Sequence, residues 1–314
     1  MYTLKKIIFI ISLSIICAFV TGNILDKGFH RFWQTFYDKM DVAFKDSTSY
    51  DVLFLGNSTV HFGIDPYYVD SITKSKTYNV GYGGANIKPL CAFFYGYLEV
   101  HPKPKAILIS MEPSLLINNN DLSNYYLFFD YLNNKAVNNY LLQKGYPTSL
   151  IRLFPFLKYC YMDEYYKTSA IKGFSGNPIE NNSVIYKGFI NNQQNSFNVK
   201  SINDEEQSNL LPDSAGISML NQLLAYCKNK NIKVIFIFPP RMYVSKNGYV
   251  SGTNADNTLI ENIASQNNIP YKRYNVPGLF MPSEFSDEIH LNRKGSVHYS
   301  ICVGEYIDSV LAIH

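Results

Sequence analysis

The sequence has few charged residues and no strong excess of either sign of charge. Asp, Glu, Lys and Arg make up 17% of the 314 residues, and the formal net charge is only +3. Nucleic-acid-binding domains usually carry a clustered basic surface, so this balance does not favour that class of protein. Hydrophobic residues make up 46%, which supplies enough apolar surface to exclude disorder over most of the chain.

Cysteine is scarce, and its positions exclude two further kinds of site. The five cysteines form no Cys-x-x-Cys pair and show no Cys/His spacing of a metal centre: Cys17, Cys91, Cys160, Cys227 and Cys302. Cys17 lies in the apolar N-terminal run. Each of the other four lies among apolar neighbours, so we expect these four to be buried thiols instead of disulfides or zinc ligands. The single Trp contrasts with 26 Tyr and 21 Phe, which suit a large core or a surface that stacks on sugars.

A long uncharged run lies at the N-terminus, where Lys5 and Lys6 precede the apolar residues 7–25. A bilayer core takes roughly 20 residues of helix, so residues 1–25 are predicted to be an uncleaved anchor with a cytoplasmic N-terminus. A cleaved signal peptide is the alternative, although neither 18–20 nor 21–23 matches a small-x-small cleavage site. Both interpretations export the rest of the chain, in which residues 26–49 are predicted to form a connecting helix.

From residue 50 to 314, short apolar runs alternate with helical patterns, which predicts one α/β domain. The predicted strands are 51–55, 77–80, 105–110, 233–238 and 270–276, and the predicted helices include 87–100, 215–231, 257–266 and 293–312. This alternation predicts a parallel sheet sandwiched by helices, with a ligand crevice beyond the C-terminal ends of the strands. Residues 115–212 are rich in Asn and Tyr and break the pattern, so we expect an inserted lid or cap of short helices there.

Ser58 lies directly after the first predicted strand, in the sequence FLGNSTVHFGIDP. Gly56 allows a tight exit from the strand, so the turn can present the Ser58 hydroxyl to a base and a backbone N–H to a developing oxyanion. Gly-x-Ser alone is a weak signal, because a helix-capping serine is the commoner cause of this pattern.

Asp287 and His290 precede the last predicted helix, in the sequence SDEIHLNRKG. Their spacing lets Asp287 hold one imidazole nitrogen of His290 and leaves the other nitrogen for a serine hydroxyl. Imidazole is the natural general base near neutral pH. A surface capping box with an incidental histidine explains this segment equally well when it is taken alone.

The loop YNVGYGGAN follows the second predicted strand and should lie beside the loop of the first. Its adjacent glycines, Gly83 and Gly84, allow the backbone to approach a substrate and present an N–H group. In isolation an ordinary glycine turn is the commoner explanation. The three motifs are nevertheless predicted to converge on one edge of the sheet.

Together these motifs resemble the SGNH (GDSL-type) hydrolase family over residues 51–314 apart from the insertion, and HLNRKG is the most specific match. The resemblance implies a flavodoxin-like parallel sheet. It also implies Ser58 as nucleophile, His290 as general base and Asp287 as the group that orients it. The implied oxyanion hole uses the N–H groups of Ser58 and Gly84, and no metal or other cofactor is implied.

The third motif of the family is Gly-x-Asn-Asp, whose Asn donates a hydrogen bond to the oxyanion. At the corresponding place this sequence has SMEP, which puts Glu112 where the Asn would be. A carboxylate cannot donate a hydrogen bond unless it is protonated. Loss of one oxyanion donor typically costs about 3 kcal/mol of transition-state stabilisation, so we expect slow hydrolysis or an acceptor other than water.

The N-terminal run, the altered third motif and the insertion resemble the membrane-anchored SGNH-like proteins of bacterial envelopes, such as alginate O-acetylation proteins and the D-alanine transfer protein of teichoic-acid assembly. This resemblance implies a single-pass protein of the bacterial cytoplasmic membrane with an extracytoplasmic (periplasmic) domain, or a secreted one if the N-terminal segment is cleaved. The implied activity is that of a serine esterase or O-acyltransferase. It would act on an acylated, above all acetylated, envelope glycan, with a membrane acyl-transfer partner.

Four further residues are candidates for substrate contact: His61, Tyr82, Glu112 and Arg241. His61 lies three residues after the serine, and Tyr82 could stack on a sugar. Arg241 could bind an anionic group, and Glu112 could pair with a cation or be buried neutral. Packing, capping or solvation is the alternative for each. Glu112 also keeps open a second function, that of a non-catalytic glycan-binding or scaffold subunit.

Overall fold

The computed structural model describes residues 2–117, 125–176, 185–191, 212–245, 248–251 and 258–312, so part of the predicted insertion lies outside the described residues. In chain order the α-helices are α1 (Tyr2–Phe32), α2 (Gln34–Phe44), α3 (Ser58–His61), α4 (Pro66–Thr73), α5 (Ile87–Val100), α6 (Lys135–Gln143), α7 (Thr148–Leu153), α8 (Lys158–Tyr161), α9 (Glu164–Lys172), α10 (Ser214–Asn229), α11 (Thr258–Gln266) and α12 (Arg293–Leu311). The strands are β1 (Val52–Leu55), β2 (Thr77–Asn79), β3 (Ala106–Ser110), β4 (Ile185–Tyr186), β5 (Phe189–Ile190), β6 (Lys233–Phe238), β7 (Met242–Ser245), β8 (Gly248–Ser251) and β9 (Tyr271–Arg273). Short 3₁₀ turns cover Pro113–Leu116, Tyr125–Tyr131, Pro155–Leu157 and Pro282–Glu284.

The chain forms two compact units. One comprises Met1–Phe44 and Tyr125–Asn181, and the other comprises Lys45–Asn124 and Asn182–His314. Residues 26–44 of the predicted connecting helix therefore fold with part of the predicted insertion.

The second unit is built on a five-stranded sheet with the order β2-β1-β3-β6-β9, in which every neighbouring pair is parallel. The register places Val52 opposite both Thr77 and Ala106, and Ala106 opposite Lys233. Helices flank this sheet, so the predicted α/β class with a parallel sheet is confirmed.

Continuous apolar runs explain the central strands. β1 and β3 are buried at every position, as expected for parallel strands that are covered on both faces. On one face Val52 and Phe54 join a core cluster with Tyr299 and Val303 of α12. Alternate residues point to the opposite face, on which α10 contacts β6.

The strand order determines which loops meet. The chain leaves β1 toward β2 on one side and returns to β3 on the other, so the order changes direction beside β1. In doubly wound sheets the ligand crevice lies at the carboxyl ends of the strands at such a point. Ser58 follows β1, Gly84 follows β2, Glu112 follows β3 and Arg241 follows β6, so all four lie at this edge.

In the first unit, α1 packs against α9 at a point of close backbone approach. A Cβ atom on Gly28 would overlap the carbonyl oxygen of Ala170, and one on Gly173 would overlap that of Gly28. The Trp33 indole N–H donates to Ser169 Oγ at 3.0 Å. The end of α1 is therefore an integral part of this unit.

The α1 segment Thr3–Phe32 is the stretch, among the residues that the structure describes, that is long and apolar enough to cross a membrane. Its most apolar window is only 6% buried within the protein. These properties fit a membrane anchor, and a signal sequence has them as well. The prediction of an apolar N-terminal helix that is compatible with a membrane anchor or a signal sequence is confirmed.

The cysteines are all free thiols. Cys91 and Cys227 are buried, as expected, and Cys302 is partly buried. Cys160 is exposed, which corrects the expectation of burial for this residue, and Cys17 is exposed on α1.

Candidate active site

Ser58 is the first residue of α3 and is half-buried at the carboxyl end of β1. Asn57 caps this short helix, because its Oδ1 accepts hydrogen bonds from Thr59 N–H at 2.9 Å and from Thr59 Oγ1 at 2.8 Å. Gly56 permits the tight exit from the strand, since a Cβ atom there would lie 2.5 Å from Val60 Cγ2. The turn therefore holds the serine in a defined position.

Ser58 contacts His290, which lies 232 residues later in the chain. The Nε2 atom of His290 is 2.8 Å from Ser58 Oγ, and its Nδ1 atom is 2.7 Å from Asp287 Oδ2. A carboxylate accepts only, so the ring proton belongs on Nδ1, and Nε2 accepts the hydrogen bond of the Ser58 hydroxyl. This order of hydroxyl, imidazole and carboxylate can generate a serine nucleophile.

Asp287 is held by the backbone of its own turn. Its Oδ1 accepts hydrogen bonds from Ile289 N–H at 2.9 Å and from His290 N–H at 2.8 Å. Burial raises the pKa of Asp287, but the His290 ring and the two backbone N–H groups outweigh burial, so the net pKa lies below the ordinary value. Asp287 thus stays ionised at a pH at which an ordinary aspartate begins to protonate.

The residues that follow His290 fix the turn to the last helix. Asn292 caps α12, since its Oδ1 accepts from Gly295 N–H at 3.1 Å while its Nδ2 donates to Ser283 O at 2.8 Å. Ser286 N–H donates to His290 O at 2.9 Å and closes the loop. The HLNRKG segment therefore acts as the structural support of the imidazole.

The loop after β2 packs against the Ser58 turn. Tyr82 N–H donates to Gly56 O at 3.0 Å, and His61 Nδ1–H donates to Gly81 O at 2.9 Å. Gly81 lies so close to α3 that a Cβ atom on it would be 2.6 Å from His61 N. The Ser58 motif after β1 and the glycine loop after β2 are therefore in direct contact.

Gly84 lies at the exposed tip of this loop and has φ +70°, a conformation that favours glycine. The turn is closed by Ala85 N–H, which donates to Tyr82 O at 3.0 Å. In the described part of the chain, the N–H groups of Ser58 and Gly84 have no protein acceptor. The same holds for the buried side-chain Nδ2 of Asn86, a donor that motif analysis missed.

Asn79 is a second residue that motif analysis missed. It is fully buried, and its Nδ2 donates to Val60 O and Ile64 O, both at 2.7 Å. Its Oδ1 accepts from Gly81 N–H at 2.9 Å. Asn79 therefore ties the Ser58 helix to the glycine loop, and the available sequence signal was one polar residue at the end of a buried strand.

Glu112 is fully buried and joins two loops of the site. Its Oε2 accepts from Asn57 Nδ2 at 2.6 Å, and its Oε1 accepts from Arg241 Nε at 2.8 Å and from Arg241 Nη2. The Arg241 side chain is 26% exposed. Of the two predicted states of Glu112, the structure contains the one paired with a cation, in which the carboxylate is an acceptor only.

Three of the four predicted substrate contacts are not accessible in the structure. His61, Tyr82 and Glu112 are exposed by at most 1%. The Tyr82 ring packs on Phe93 with centroids 5.5 Å apart, and the other two side chains are held by hydrogen bonds. The expectation of substrate contact is therefore wrong for these three residues, because they are packed or hydrogen-bonded in the interior. Arg241 remains as the candidate for substrate contact.

Within the described ranges, no group of three or more His, Cys, Asp or Glu side chains is placed to hold a metal ion. No protein-family model matches the sequence, and no curated protein matches it either.

Proposed function

We propose that the protein is a serine esterase or O-acyltransferase of the SGNH type. The observation that carries this proposal is the chain of hydrogen bonds from Ser58 Oγ through His290 to Asp287, with lengths of 2.8 and 2.7 Å. The position of these three residues supports the same proposal, because they lie at the carboxyl edge of the parallel sheet. The strand order of this sheet is that of flavodoxin-like folds.

In the first half of the reaction, Ser58 Oγ attacks the carbonyl carbon of an ester while its proton passes to His290 Nε2. The bond between that carbon and the alcohol oxygen then breaks, and His290 returns the proton to the departing alcohol. Asp287 stabilises the imidazolium that exists between these two transfers. An acyl ester on Ser58 is the product of this half.

In the second half, water or a sugar hydroxyl attacks the acyl carbon and gives its proton to His290 Nε2. The bond from the acyl carbon to Ser58 Oγ breaks, and the serine recovers a proton from His290. Water yields a free acid and thus hydrolysis, whereas a sugar hydroxyl yields a new ester and thus acyl transfer.

The negative charge on the carbonyl oxygen needs hydrogen-bond donors. Ser58 N–H and Gly84 N–H are the proposed donors, and the buried amide of Asn86 is the candidate for the third. Glu112 has another role in this account, because it holds Asn57, the cap of the Ser58 helix, together with Arg241.

The apolar N-terminal helix supports a place at a membrane. Lys5 and Lys6 ahead of the apolar run support a cytoplasmic N-terminus, which leaves the rest of the chain extracytoplasmic. We place the protein in a bacterial envelope, where an acetylated glycan is the proposed substrate and a membrane partner is the proposed source of acyl groups.

Turnover by the full chain in detergent tests this function. An aryl acetate and an O-acetylated glycan should both lose acetate, and Ser58→Ala should lower the rate by at least about 10⁴-fold. Ser309→Ala is the matched control, because Ser309 is an exposed serine on α12, and its rate should stay within about twofold of the original. Addition of a free oligosaccharide should divert part of the acetyl group to the sugar.

The competing function is a non-catalytic glycan-binding or scaffold subunit. The acceptor-only state of Glu112 favours it, since the family's third oxyanion donor is missing. Absence of turnover on both substrates, together with glycan binding that is unchanged in Ser58→Ala, would replace the enzymatic proposal with this one.

A further inference from the structure

The first unit places part of the insertion directly against the apolar section of α1. The Phe156 ring packs edge-on against Phe19 with centroids 5.3 Å apart, and Phe154 packs on the same ring at 6.1 Å. Gly22 permits this contact, because a Cβ atom there would lie 2.7 Å from Phe156 Cβ. The segment around Pro155–Leu157 is thus seated on residues of the uncharged run.

The charges of α1 indicate how deep this contact lies. The run without charge covers residues 7–25, and Asp26 is the first charged residue after it. Gly22 therefore lies four residues, about 6 Å along the helix, on the apolar side of Asp26. If α1 crosses a membrane, Phe154 and Phe156 lie at the depth of the outer part of the hydrocarbon layer.

The exposed side of the segment 150–157 is mainly apolar, because Leu150, Leu153 and Pro155 are exposed and Arg152 is the one charged residue among them. The side chains of Leu150 and Leu153 are 52% and 64% exposed. Its one cation, Arg152, is itself exposed, and its guanidinium is held against the protein by hydrogen bonds to Leu132 O at 2.6 Å and Asn138 Oδ1 at 3.0 Å.

The first charged residue after this segment is paired within the protein. Lys158 is only 1% exposed and pairs with Asp130 and with Asp26, the latter at 2.9 Å. A layer of paired charges therefore lies at the level of Asp26, and an unpaired apolar surface lies next to it on the side of the uncharged run. This order matches the change from headgroups to acyl chains at a bilayer surface.

We propose that residues 150–157 are a second membrane contact, which enters the outer leaflet beside a retained N-terminal helix. The lipid acyl layer is the occupant that fits, because the segment continues the apolar surface of α1 at the same depth. The contact requires an uncleaved α1, since cleavage near residues 18–23 would remove the Phe19 side of the packing. This inference does not depend on the proposed enzymatic function.

Depth-dependent quenching in the full chain tests the proposal. In a background of Cys17→Ala, Cys160→Ser and Cys302→Ser, a polarity-sensitive fluorophore is attached at Leu153→Cys and the protein is reconstituted in phosphatidylcholine–phosphatidylglycerol vesicles. Leu150→Cys is a second reporter, and both parent side chains are exposed enough to tolerate the change. Lys167→Cys is the matched control, because Lys167 is exposed on α9, which contacts α1 at Gly28, beyond Asp26.

Lipids with a spin label near the headgroup should quench the fluorophores at 153 and 150 at least about threefold more than the one at 167, since interfacial insertion reaches about 5–10 Å. Equal quenching at all three positions would overturn the proposal. Protection of the fluorophore at 153 from quenching that rises with protein concentration would also overturn the proposal, because a second copy of the chain would then cover the segment. Mass spectrometry of the protein in the membrane fraction that shows loss of the first 18–23 residues would also overturn the proposal.

Discussion

Glu112 is a buried carboxylate whose partners come from the loops after β1 and β6. Removing one partner of a buried pair leaves an uncompensated charge, which costs about 3–5 kcal/mol. Glu112→Gln keeps the shape and removes the charge opposite Arg241, whose side chain is 26% exposed and so partly solvated. We expect a loss of unfolding free energy of about 2–3 kcal/mol, measured by chemical denaturation of the full chain in detergent.

Glu261→Gln is the matched control for this substitution. Glu261 pairs with Arg273 at 3.4 Å, and both side chains are substantially exposed. Exposed pairs contribute about 0–1 kcal/mol, so the control should change stability little. Equal effects of the two substitutions would contradict the structural role of Glu112.

Asp287 links the geometry of the site to pH. Its pKa is lowered from 3.8, so the stability that its carboxylate contributes is present above that value and is lost as the pH falls through the lowered pKa. Asp287→Asn should lower the esterase rate by about 10³–10⁴-fold, because the imidazole loses its orienting partner.

The measurements for Asp287→Asn are the rate and the thermal unfolding temperature as functions of pH. The difference in unfolding temperature between the original chain and the variant should be constant above the ordinary aspartate range and should vanish in stronger acid. A difference that grows with falling pH would show that the sign of the shift is wrong.

At the scale of elements, the glycine loop after β2 and helix α3 approach each other too closely for side chains. A Cβ atom on Gly81 would lie 2.6 Å from His61 N and 2.8 Å from Val60 Cβ. Gly81→Ala should therefore destabilise the fold by about 1–3 kcal/mol and should displace the Ser58 turn. The rate should fall with the stability, measured by esterase assay and denaturation on the same samples.

Gly83→Ala provides the control on the same loop. A Cβ atom on Gly83 would meet no other atom within 4 Å. We expect a stability change within about 0.5 kcal/mol and an unchanged rate. Equal losses of stability and rate in Gly81→Ala and Gly83→Ala would contradict the role of close packing at Gly81.

The elements of the sheet could be predicted because their signals are local. Runs such as VLFL in β1 and AILIS in β3 are continuous, apolar and bounded by turn residues, and α5 begins at an Asn cap. The contacts of Glu112 with Asn57 and Arg241 have no such signal, since they join loops 55 and 129 residues apart. Burial of Tyr82 likewise depends on tertiary packing and not on its neighbours in sequence.

At the scale of the whole molecule, the unit of Met1–Phe44 and Tyr125–Asn181 was not predicted. The sequence showed an apolar run and an Asn- and Tyr-rich insertion, but nothing in either segment signals that they pair. The contacts that join them are long-range, such as the Lys158–Asp26 ion pair and the packing of Phe19 on Phe156. Lys158 also pairs with Asp130. Burial lowers the pKa of Lys158, but these carboxylates raise it more, and the net pKa lies above its ordinary value.

Lys158→Gln tests whether this buried pair holds the unit together. It leaves the Asp130 carboxylate, which is 19% exposed and keeps its Tyr37 contact, without its ammonium partner, which should cost about 3 kcal/mol. Hydrogen exchange of peptides from residues 125–176 should accelerate by about 100-fold or more, since each 1.4 kcal/mol is a factor of ten. Lys167→Gln removes an exposed charge from α9 and should leave exchange unchanged, and similar acceleration in both would contradict the role of Lys158.

Covalent labelling of the full chain with a fluorophosphonate, followed by peptide mass mapping, tests the central claim most directly. The account predicts one adduct on the peptide that carries Ser58, its absence in Ser58→Ala, and labelling at least about 10³-fold slower in His290→Ala. No adduct at any pH, or an adduct that persists in Ser58→Ala, would contradict it.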